Sequence, residues 1–293
     1  MKIVPHTDTI THPYPNVVMG NKRPLPVSAD GDHIEFIPVR YDNPDTGCRV
    51  YRVKKAGEPD IFAEVWDIRS GDSGNWTGSE EILSADEVAR ADRIIPAGTR
   101  STFIRRHVIL RSVLSRYLRT PAEKICFSYN PYGRPEIKET RDSGRIFFNM
   151  SHADGRILIA VSRHFQPGID CAAVKAGPDI MGIARIYFHG DVADYLASLA
   201  LPERRYQFFR TWVHAEACMK AVGTGLALPP GTISFPPALP VPPVYRLTSP
   251  DNACSGSVLA MDLPSDGNSV AACAFHLSGG STEHIFSKIQ SGQ

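Results

Sequence analysis

The chain of 293 residues lacks the features that mark several common classes of protein. It has no apolar run near the ~20 residues that a membrane-spanning helix requires, so we expect no membrane association. Its formal net charge is +1, from 32 basic and 31 acidic residues, which gives no whole-protein basic field for nucleic acid. The N-terminal stretch MKIVPHTDTITHPYPN has no apolar h-region, so we also expect no signal peptide.

Cysteine motifs are missing as well. The six cysteines are too far apart for a CxxC metal or redox motif. Most lie beside apolar residues, as in ICF and AACAF. We therefore expect free, buried thiols in a reducing compartment, which predicts a cytoplasmic protein. The cysteines are Cys48, Cys126, Cys171, Cys218, Cys254 and Cys273.

The remaining composition is that of an ordinary globular protein. Hydrophobic residues make up 42% and charged residues 22%, and the length fits one large domain or two smaller ones. Residues 1–60 are rich in proline, glycine, aspartate and asparagine and are predicted to be an N-terminal extension of unknown role. Within them, HIEFIPV and CRVYRVKK alternate as strands do. Residues 279–293 are predicted to be a loose C-terminal tail.

From residue 61 the chain shows regular patterns. IFAEVWDI alternates like a strand, and SADEVARADRI predicts a short helix because Ser84 and Glu87 form a capping-box pair. STFIRRHVILRSVLSRYL, residues 101–118, has apolar residues at helical spacing and carries several arginines, which predict a solvated face. ICFSYNPYGRPEI then predicts a strand followed by a turn at Asn130-Pro131 and Gly133.

The second part of the chain again contains both predicted strands and predicted helices. RILIAV is an apolar strand, IMGIARIYF and ADYLASL predict short helices, and ERRYQFFRTWVHAEACMKAVG predicts a long helix that Gly223 and Gly225 end. Seven prolines between Pro229 and Pro243 exclude a helix there. SVLAMDL and NSVAACAFHL predict closing strands. RILIAV and VAACAF lie about 110 residues apart, which is a weak sign of two related halves.

The polar residues that could carry chemistry are individually ambiguous. Glu216 and Lys220 could form an exposed ion pair one helical turn apart, which stabilises a helix by only tenths of a kcal/mol. Asp170 could simply be an acid at the end of a strand, and Ser151-His152 could be a satisfied turn. Their order along the chain is more informative than any one of them.

That order resembles the Sfp-type 4'-phosphopantetheinyl transferase family. The family shows G-[KR]-P, then F-N-x-S-H, then G-[IV]-D-x-E, and then W-x-x-K-E-A-x-x-K-x-x-G-x-G-L. In this chain the corresponding segments are Gly133-Arg134-Pro135, Phe148–His152, Gly168-Ile169-Asp170 and Trp212–Leu226. The resemblance covers about residues 61–278.

The resemblance implies a fold, a reaction and a set of ligands. The fold would be α/β (α+β), with two similar halves about a pseudo-twofold axis, residues 61–165 and 166–278, and the active site in the cleft between them. The reaction would transfer the 4'-phosphopantetheine arm of coenzyme A to a serine of an acyl or peptidyl carrier protein, releasing 3',5'-ADP. The enzyme would be a monomer that depends on Mg²⁺.

The resemblance also implies roles for particular residues. Asp170 and Glu216 would hold Mg²⁺, and Lys220 would contact the phosphates or stabilise the leaving group. Ser151 and His152 would bind the phosphates of the nucleotide. The remaining contacts to coenzyme A would come from the segment Gly133, Arg134 and Pro135, which would form part of the adenine or 3'-phosphate pocket, and from Arg93 and Arg100. Arg90 lies near the same basic contacts.

Several positions depart from the family pattern. The acid two positions after Asp170 is replaced by Ala172, so water, Asp179 or Asp191 would have to substitute as a metal ligand. The first lysine of K-E-A is replaced by Ala215. Asp191 could stand in for a glutamate that is proposed to activate the attacking serine in the family. His107 and Thr102 occupy positions where an arginine is usual.

These departures leave three hypotheses open. The chain is an active transferase; or it has lost transfer and binds coenzyme A or a carrier protein, or does other chemistry on a related ligand; or it is an unrelated α/β protein. Binding of coenzyme A, read as a higher melting temperature, would exclude the third hypothesis.

Overall fold

The structure is a computed structural model that describes residues 34–39, 48–55, 61–69, 80–138, 145–188, 190–225, 233, 235–236, 238–239, 244–247, 256–265 and 268–277. Its strands are β1 (Ile34–Val39), β2 (Arg49–Lys55), β3 (Ile61–Arg69), β4 (Phe127–Tyr129), β5 (Pro135–Ile137), β6 (Phe147–Ala153), β7 (Arg156–Ser162), β8 (Gln166–Ala173), β9 (Val244–Leu247), β10 (Gly256–Asp262) and β11 (Ser269–Leu277). Its helices are α1 (Ala85–Asp92), α2 (Ala97–Leu118), α3 (Ile180–Tyr187), α4 (Gly190–Ser198) and α5 (Leu201–Val222).

Two antiparallel sheets organise the chain. The first has the strand order β1-β2-β3-β7-β6, and the second has the order β8-β11-β10-β9. Strands β4 and β5 form a separate hairpin. Each large sheet is accompanied by one helix of 22 residues, α2 or α5. Strands β6 and β8 are edge strands of different sheets, and this position decides where the site forms.

Alternation along the strands sorts the core into layers. Ile157 and Ile159 of β7 pack in a cluster with α2, whereas Leu158 lies in a second cluster that contains residues of both sheets. In β11, Ala272 packs in the cluster that contains α5, and Cys273 packs between the sheets. The order of layers is therefore α2, first sheet, second sheet, α5. Because β7 is covered on both faces, all of its residues are buried, which explains the unbroken apolar run ILIAV that follows Arg156.

Most predicted elements are confirmed. The capping box of α1 forms, with the Glu87 backbone N–H donating to Ser84 Oγ and the Ser84 backbone N–H donating to Glu87 Oε2. α5 ends at Gly223, which adopts a left-handed conformation with φ 90°. α2 begins four residues earlier than predicted, at Ala97. Its first turn is exposed, so no apolar spacing marked it in the sequence.

Part of the predicted N-terminal extension lies inside the first sheet. β2 pairs with β3, and β1 pairs with β2, so residues 34–39 and 49–55 continue the sheet that begins with β3. The predicted C-terminal tail, residues 279–293, lies outside the described residues. Within the described ranges, no helix combines the length and the apolar character that crossing a membrane requires.

Asp262, at the end of β10, attaches α5 to the second sheet. Arg210 Nη2 donates to Asp262 Oδ2 at 2.6 Å, and His214 Nε2 lies 2.9 Å from Asp262 Oδ1. Burial by itself raises the pKa of Asp262, but His214 and Arg210 outweigh burial and hold that pKa well below its usual range. The carboxylate is therefore more stable charged in the folded chain than in the unfolded one.

This depressed pKa predicts a specific acid sensitivity. The stabilisation is present above the pKa of an unfolded aspartate, near 4, and is lost as the pH falls towards the folded pKa. Asp262→Asn should lower the free energy of unfolding by about 2 kcal/mol at pH 7 and should flatten its pH dependence below pH 4. Denaturant unfolding between pH 7 and pH 2.5 measures both effects. Asp191→Asn, at an exposed carboxylate, is the control; equal acid slopes for wild type and Asp262→Asn would contradict the prediction.

Candidate active site

Strand β6 presents different residues to its two sides. Asn149 and Ser151 pair with Ala160 and Leu158, which face the second sheet. Accordingly Asn149 Oδ1 accepts a hydrogen bond from the backbone N–H of Ile169 in β8 at 2.9 Å. His152, the next residue, faces the opposite way, towards α2. Within the segment Phe148–His152, alternate side chains therefore face the second sheet and α2.

Asp170 is the residue on which the site converges. It lies on β8 and is 8% exposed. Ser151 Oγ donates to Asp170 Oδ1 at 2.7 Å, and Lys220 Nζ donates to the same oxygen at 2.6 Å. Lys220 Nζ also donates to the Ile169 carbonyl oxygen at 3.1 Å. A strand of each sheet and the helix α5 thus meet at one carboxylate.

Gly168 allows α5 to come this close to β8. A Cβ added to Gly168 would lie 1.9 Å from the Ala217 carbonyl oxygen and 2.3 Å from the Ala221 backbone nitrogen. Both of these atoms belong to the backbone of α5, so no side-chain rotation can relieve such a contact. Glycine is required at this position because the helix backbone occupies the space of a side chain.

Glu216 lies one helical turn before Lys220 and is half-buried. Burial raises the pKa of Glu216, the charge of Asp170 raises it further, and Lys220 partly opposes both. The ammonium group of Lys220 pairs with Asp170. No hydrogen bond or ion pair involves the Glu216 carboxylate within the described part of the chain. An isolated Glu216–Lys220 ion pair is thus not the arrangement that forms.

His152 lies beside this cluster, on the side that faces α2. Arg106 of α2 contacts it, with Arg106 Nη1 2.7 Å from His152 Nδ1. Burial lowers the pKa of His152, and the charges of Arg106 and Lys220 lower it further, while Asp170 acts in the opposite direction. His152 is therefore a neutral imidazole near pH 7 unless an anion binds beside it.

The segment Gly133-Arg134-Pro135 follows the turn between β4 and β5. Gly133 has φ 81°, which a glycine adopts at no steric cost. Arg134 is 8% exposed, and burial lowers its pKa to about 10. Its Nη2 donates to the carbonyl oxygens of Phe148 at 3.1 Å and Pro167 at 2.9 Å, and its Nη1 donates to that of Lys220. Arg134 therefore holds β6, β8 and α5 together beside the site.

Asn130 adds a second link from the same turn. Its Nδ2 donates to the Gly223 carbonyl oxygen at 2.9 Å, at the end of α5, and its Oδ1 accepts from the backbone N–H groups of Tyr132 and Arg134. The sequence marked Asn130 only as a turn residue. Its contact with α5 spans 93 positions of sequence and has no local signal.

The arginines near the N-terminus of α2 that were predicted to contact coenzyme A form their recorded contacts away from Asp170. Arg93 is exposed after α1, and Arg100 Nη2 pairs with Asp92 Oδ1 at 2.9 Å. Arg90 donates to the Tyr129 hydroxyl at 2.9 Å. Across the described ranges, none of the three hydrogen-bonds to Ser151, His152 or Lys220. Their contact with coenzyme A stays a prediction.

The two carboxylates fit a divalent metal that keeps water ligands. Asp170 and Glu216 supply hard oxygen atoms, and the charge of Asp170 acts on the Glu216 carboxylate, which is the kind of paired negative charge that a cation would relieve. Ala172 lies on the same strand face as Asp170, two positions along β8. In the described residues no group of three histidine, cysteine, aspartate or glutamate side chains could hold a metal.

Neither predicted substitute for the missing acid joins this pair. Asp179 caps α3, with Oδ1 accepting from the Gly182 backbone N–H at 2.9 Å. Asp191 lies in the first turn of α4, with Oδ1 accepting from the Val192 backbone N–H. Among the described residues neither aspartate therefore completes a three-residue metal site with Asp170 and Glu216, and a water ligand stays a prediction.

Comparisons with known proteins agree with this geometry. A family model described as the 4'-phosphopantetheinyl transferase superfamily matches residues 166–267, which contain β8, α5 and β10. The protein HetI of Nostoc sp., a 4'-phosphopantetheinyl transferase, is 32% identical over 183 residues, or 60% of this chain and 77% of HetI.

Two further relatives are also named 4'-phosphopantetheinyl transferases. The gsp protein of Aneurinibacillus migulanus is 34% identical over 122 residues, which is 42% of this chain and 48% of gsp. Sfp of Bacillus subtilis is 33% identical over 122 residues, which is 42% of this chain and 52% of Sfp. The chain thus spans about half of these two relatives and most of HetI. On this similarity, together with the convergence of Ser151, Asp170 and Lys220, the chain belongs to the 4'-phosphopantetheinyl transferase family.

Proposed function

We propose that this protein transfers the 4'-phosphopantetheine arm of coenzyme A to a serine of an acyl or peptidyl carrier protein and releases 3',5'-ADP. The observation that carries the proposal is that Ser151 of β6 and Lys220 of α5 both hydrogen-bond to Asp170 of β8. Family membership supplies the reaction. The carriers would belong to fatty-acid, polyketide or nonribosomal peptide synthesis, and the enzyme would act as a cytoplasmic monomer.

The chemistry matches the charges of the site. The hydroxyl oxygen of the carrier serine bonds to the phosphorus next to the pantetheine, and the bond from that phosphorus to the oxygen bridging it to the other phosphate breaks. The serine proton leaves to a base, for which Asp191 stays a prediction. Negative charge collects on the departing 3',5'-ADP, and the ammonium group of Lys220 is the fixed cation that stabilises it.

Asp170 and Glu216 would hold the metal, which we propose to be Mg²⁺. When bound, the ion would neutralise charge on the phosphates. Ser151 holds one oxygen of Asp170 in place through its hydrogen bond, so the carboxylate has a fixed orientation before any ligand binds. Lys220 takes part in the same hydrogen-bonded group and can exchange Asp170 for a phosphate oxygen when the ligand enters.

A second candidate function follows from the charged residues that the site lacks. Ala172 and Ala215 remove one carboxylate and one cation relative to the family pattern, and the described residues offer no third ligand. Such a site favours a protein that binds coenzyme A or a carrier protein without transfer, or that does other chemistry on a related ligand.

Intact-mass analysis separates the two functions. An apo carrier protein is incubated with the full chain, coenzyme A and Mg²⁺, and the carrier should gain one phosphopantetheine arm on its serine. A parallel reaction with EDTA tests the dependence on metal. No gain across several carriers, while coenzyme A still raises the melting temperature, would reject transfer and support the second function.

Restoring the missing acid should strengthen metal binding. Ala172→Glu places a third carboxylate on the face of Asp170, so Mn²⁺, as a probe for Mg²⁺, should bind about tenfold more tightly by calorimetry. Without metal, the added negative charge should lower the melting temperature, and metal should restore it. Ala173→Glu, on the opposite face of β8, is the control. Unchanged Mn²⁺ affinity in Ala172→Glu would show that another group already fills this position.

A further inference from the structure

The loop between β4 and β5, residues 130–134, contacts the end of α5. The carbonyl groups in the last turn of a helix have no partner within that helix. At the end of α5 the Gly223 backbone N–H satisfies the Met219 carbonyl oxygen, and Arg134 Nη1 donates to the next one, that of Lys220. Asn130 Nδ2 donates to the Gly223 carbonyl oxygen at 2.9 Å. The loop therefore closes carbonyl groups of α5, at the helix end where the helix dipole favours a cation.

The same guanidinium reaches an edge strand of each large sheet. Edge strands present backbone groups that their own sheet leaves unpaired. Arg134 Nη2 donates to the Phe148 carbonyl oxygen of β6 at 3.1 Å and to the Pro167 carbonyl oxygen of β8 at 2.9 Å. The Gln166 amide oxygen, in the orientation that satisfies both groups, lies 2.6 Å from Arg134 Nε. The protein itself therefore engages all three nitrogen atoms of the guanidinium.

These contacts leave little of Arg134 for a ligand. The side chain is buried, and three of its acceptors are main-chain carbonyl oxygens. A phosphate that bound to the guanidinium would displace one of these carbonyl groups, and a buried carbonyl group without a partner costs free energy. The contacts therefore favour a role in which Arg134 acts through the backbone that it holds.

Two of the elements that Arg134 joins carry the candidate site. Lys220 accepts from Arg134 through its carbonyl oxygen, and its ammonium group donates to Asp170 Oδ1 at 2.6 Å. Pro167 and Asp170 lie three positions apart on β8. Gly168 permits the close approach of α5 and β8, and Arg134 bonds to both elements. Misplacement of a reacting group by about 1 Å can lower a rate about a hundredfold, so this attachment matters for catalysis.

We infer that Arg134 is a positioning residue for transfer: by bonding to the backbone of β6, β8 and α5, it sets the distance between Asp170 and Lys220. This inference rests on the proposed function and deepens it. Arg134 acts through Lys220 and Asp170, so the reacting groups need not touch its guanidinium. Removal of Arg134 should therefore affect the transition state more than the binding of coenzyme A.

Steady-state kinetics of two variants test this inference. Arg134→Met removes the donors and keeps an apolar side chain, and it should lower kcat at least about tenfold while KM for coenzyme A stays within about threefold of wild type. Arg134→Lys keeps three N–H donors for the three carbonyl oxygens, so it should restore kcat to within about threefold of wild type. Intact-mass analysis of the carrier, over a range of coenzyme A concentrations at fixed Mg²⁺, gives both constants.

Hydrogen exchange adds a measurement that does not need transfer. In Arg134→Met the backbone amides of the last turn of α5, residues 219–223, should exchange about tenfold faster than in wild type, because their attachment to the loop is lost. The amides in the last turn of α2, residues 114–118, should exchange at the wild-type rate. Mass spectrometry of peptides from the exchanged full chain measures both segments.

Arg204→Met is the matched control. Arg204, in the first turn of α5, also donates to three carbonyl oxygens, which belong to Leu196, Ala197 and Leu199. It lies about 24 Å from Lys220 along the helix, at 1.5 Å per residue. Its replacement should lower the melting temperature about as much as Arg134→Met does, and should leave kcat unchanged.

The outcomes separate positioning from the alternatives. An equal loss of kcat in Arg204→Met would assign the effect to general destabilisation and would overturn the inference. A raised KM with an unchanged kcat in Arg134→Met would make Arg134 a direct contact to coenzyme A and would also overturn it, as would unchanged exchange in α5. If wild type transferred nothing while exchange in α5 responded to Arg134→Met alone, the attachment of α5 would stand and only the proposed function would be rejected.

Discussion

Replacing Asp170 by alanine is expected to abolish transfer, lowering kcat/KM by at least about a hundredfold. Asp170 is one of the two proposed metal ligands, and its Oδ1 receives hydrogen bonds from both Ser151 and Lys220. Without it, Ser151 and Lys220 lose their common acceptor, and Glu216 is left as the single carboxylate of the proposed metal site. Rates of carrier modification, measured by intact mass at saturating coenzyme A, test the expectation.

Asp179→Ala is the matched control for this experiment. It makes the same chemical change on the cap of α3, where the carboxylate bonds to the Gly182 backbone N–H. Its transfer rate should stay close to that of wild type. If Asp170→Ala transferred at the wild-type rate while remaining metal-dependent, the reacting phosphates would bind elsewhere and the proposed site would be wrong.

Replacing Gly168 by alanine is expected to lower the free energy of unfolding by about 3 kcal/mol. The new Cβ would overlap the α5 backbone at the Ala217 carbonyl oxygen and the Ala221 backbone nitrogen. To relieve the overlap α5 must move away from β8, and Glu216 and Lys220 would move with it. Denaturant unfolding measures the loss of stability, and transfer should fall in the fraction that remains folded.

A second glycine in the chain offers a matched control. A Cβ added to Gly98, in the first turn of α2, would meet nothing within 4 Å. Gly98→Ala should therefore leave stability unchanged or raise it by up to about 1 kcal/mol, because alanine restricts the unfolded chain. Equal stability of Gly168→Ala and wild type would mean that α5 does not need its close approach to β8.

Much of the fold follows from local patterns in the sequence. Alternation marked the long strands, the spacing of Leu110, Val113 and Leu114 marked α2, and Gly223 marked the end of α5. The order of four short segments identified Ser151, Asp170 and Lys220 as neighbours, and the structure places these three side chains within hydrogen-bond distance. These features depend on residues close in sequence or on segments whose order identifies the family.

The remaining features depend on contacts between distant segments. The partner of Lys220 is Asp170 and not Glu216, because α5 lies against β8 at Gly168, and no helical spacing contains that information. The guanidinium of Arg134 bonds to carbonyl oxygens of β6, β8 and α5, which are far apart in the sequence, and its contact with coenzyme A stays a prediction. Arg106 looked like one arginine of a solvated face until its neighbour His152 was located.

The pleat of β6 fixes which of its side chains belong to the two regions that flank it, the Asp170 side and the Arg106 side. Ser151 points towards β8 and His152 towards α2 only because they occupy successive positions of one pleated strand. Deleting or inserting a single residue before them would exchange the two directions, sending the hydroxyl towards Arg106 and the imidazole towards Asp170. Substitutions within β6 alter one region at a time, whereas a change of length alters both together. Divergence in this protein can therefore proceed through residue identity, as at Thr102 and Ala172, while the spacing of β6 stays fixed.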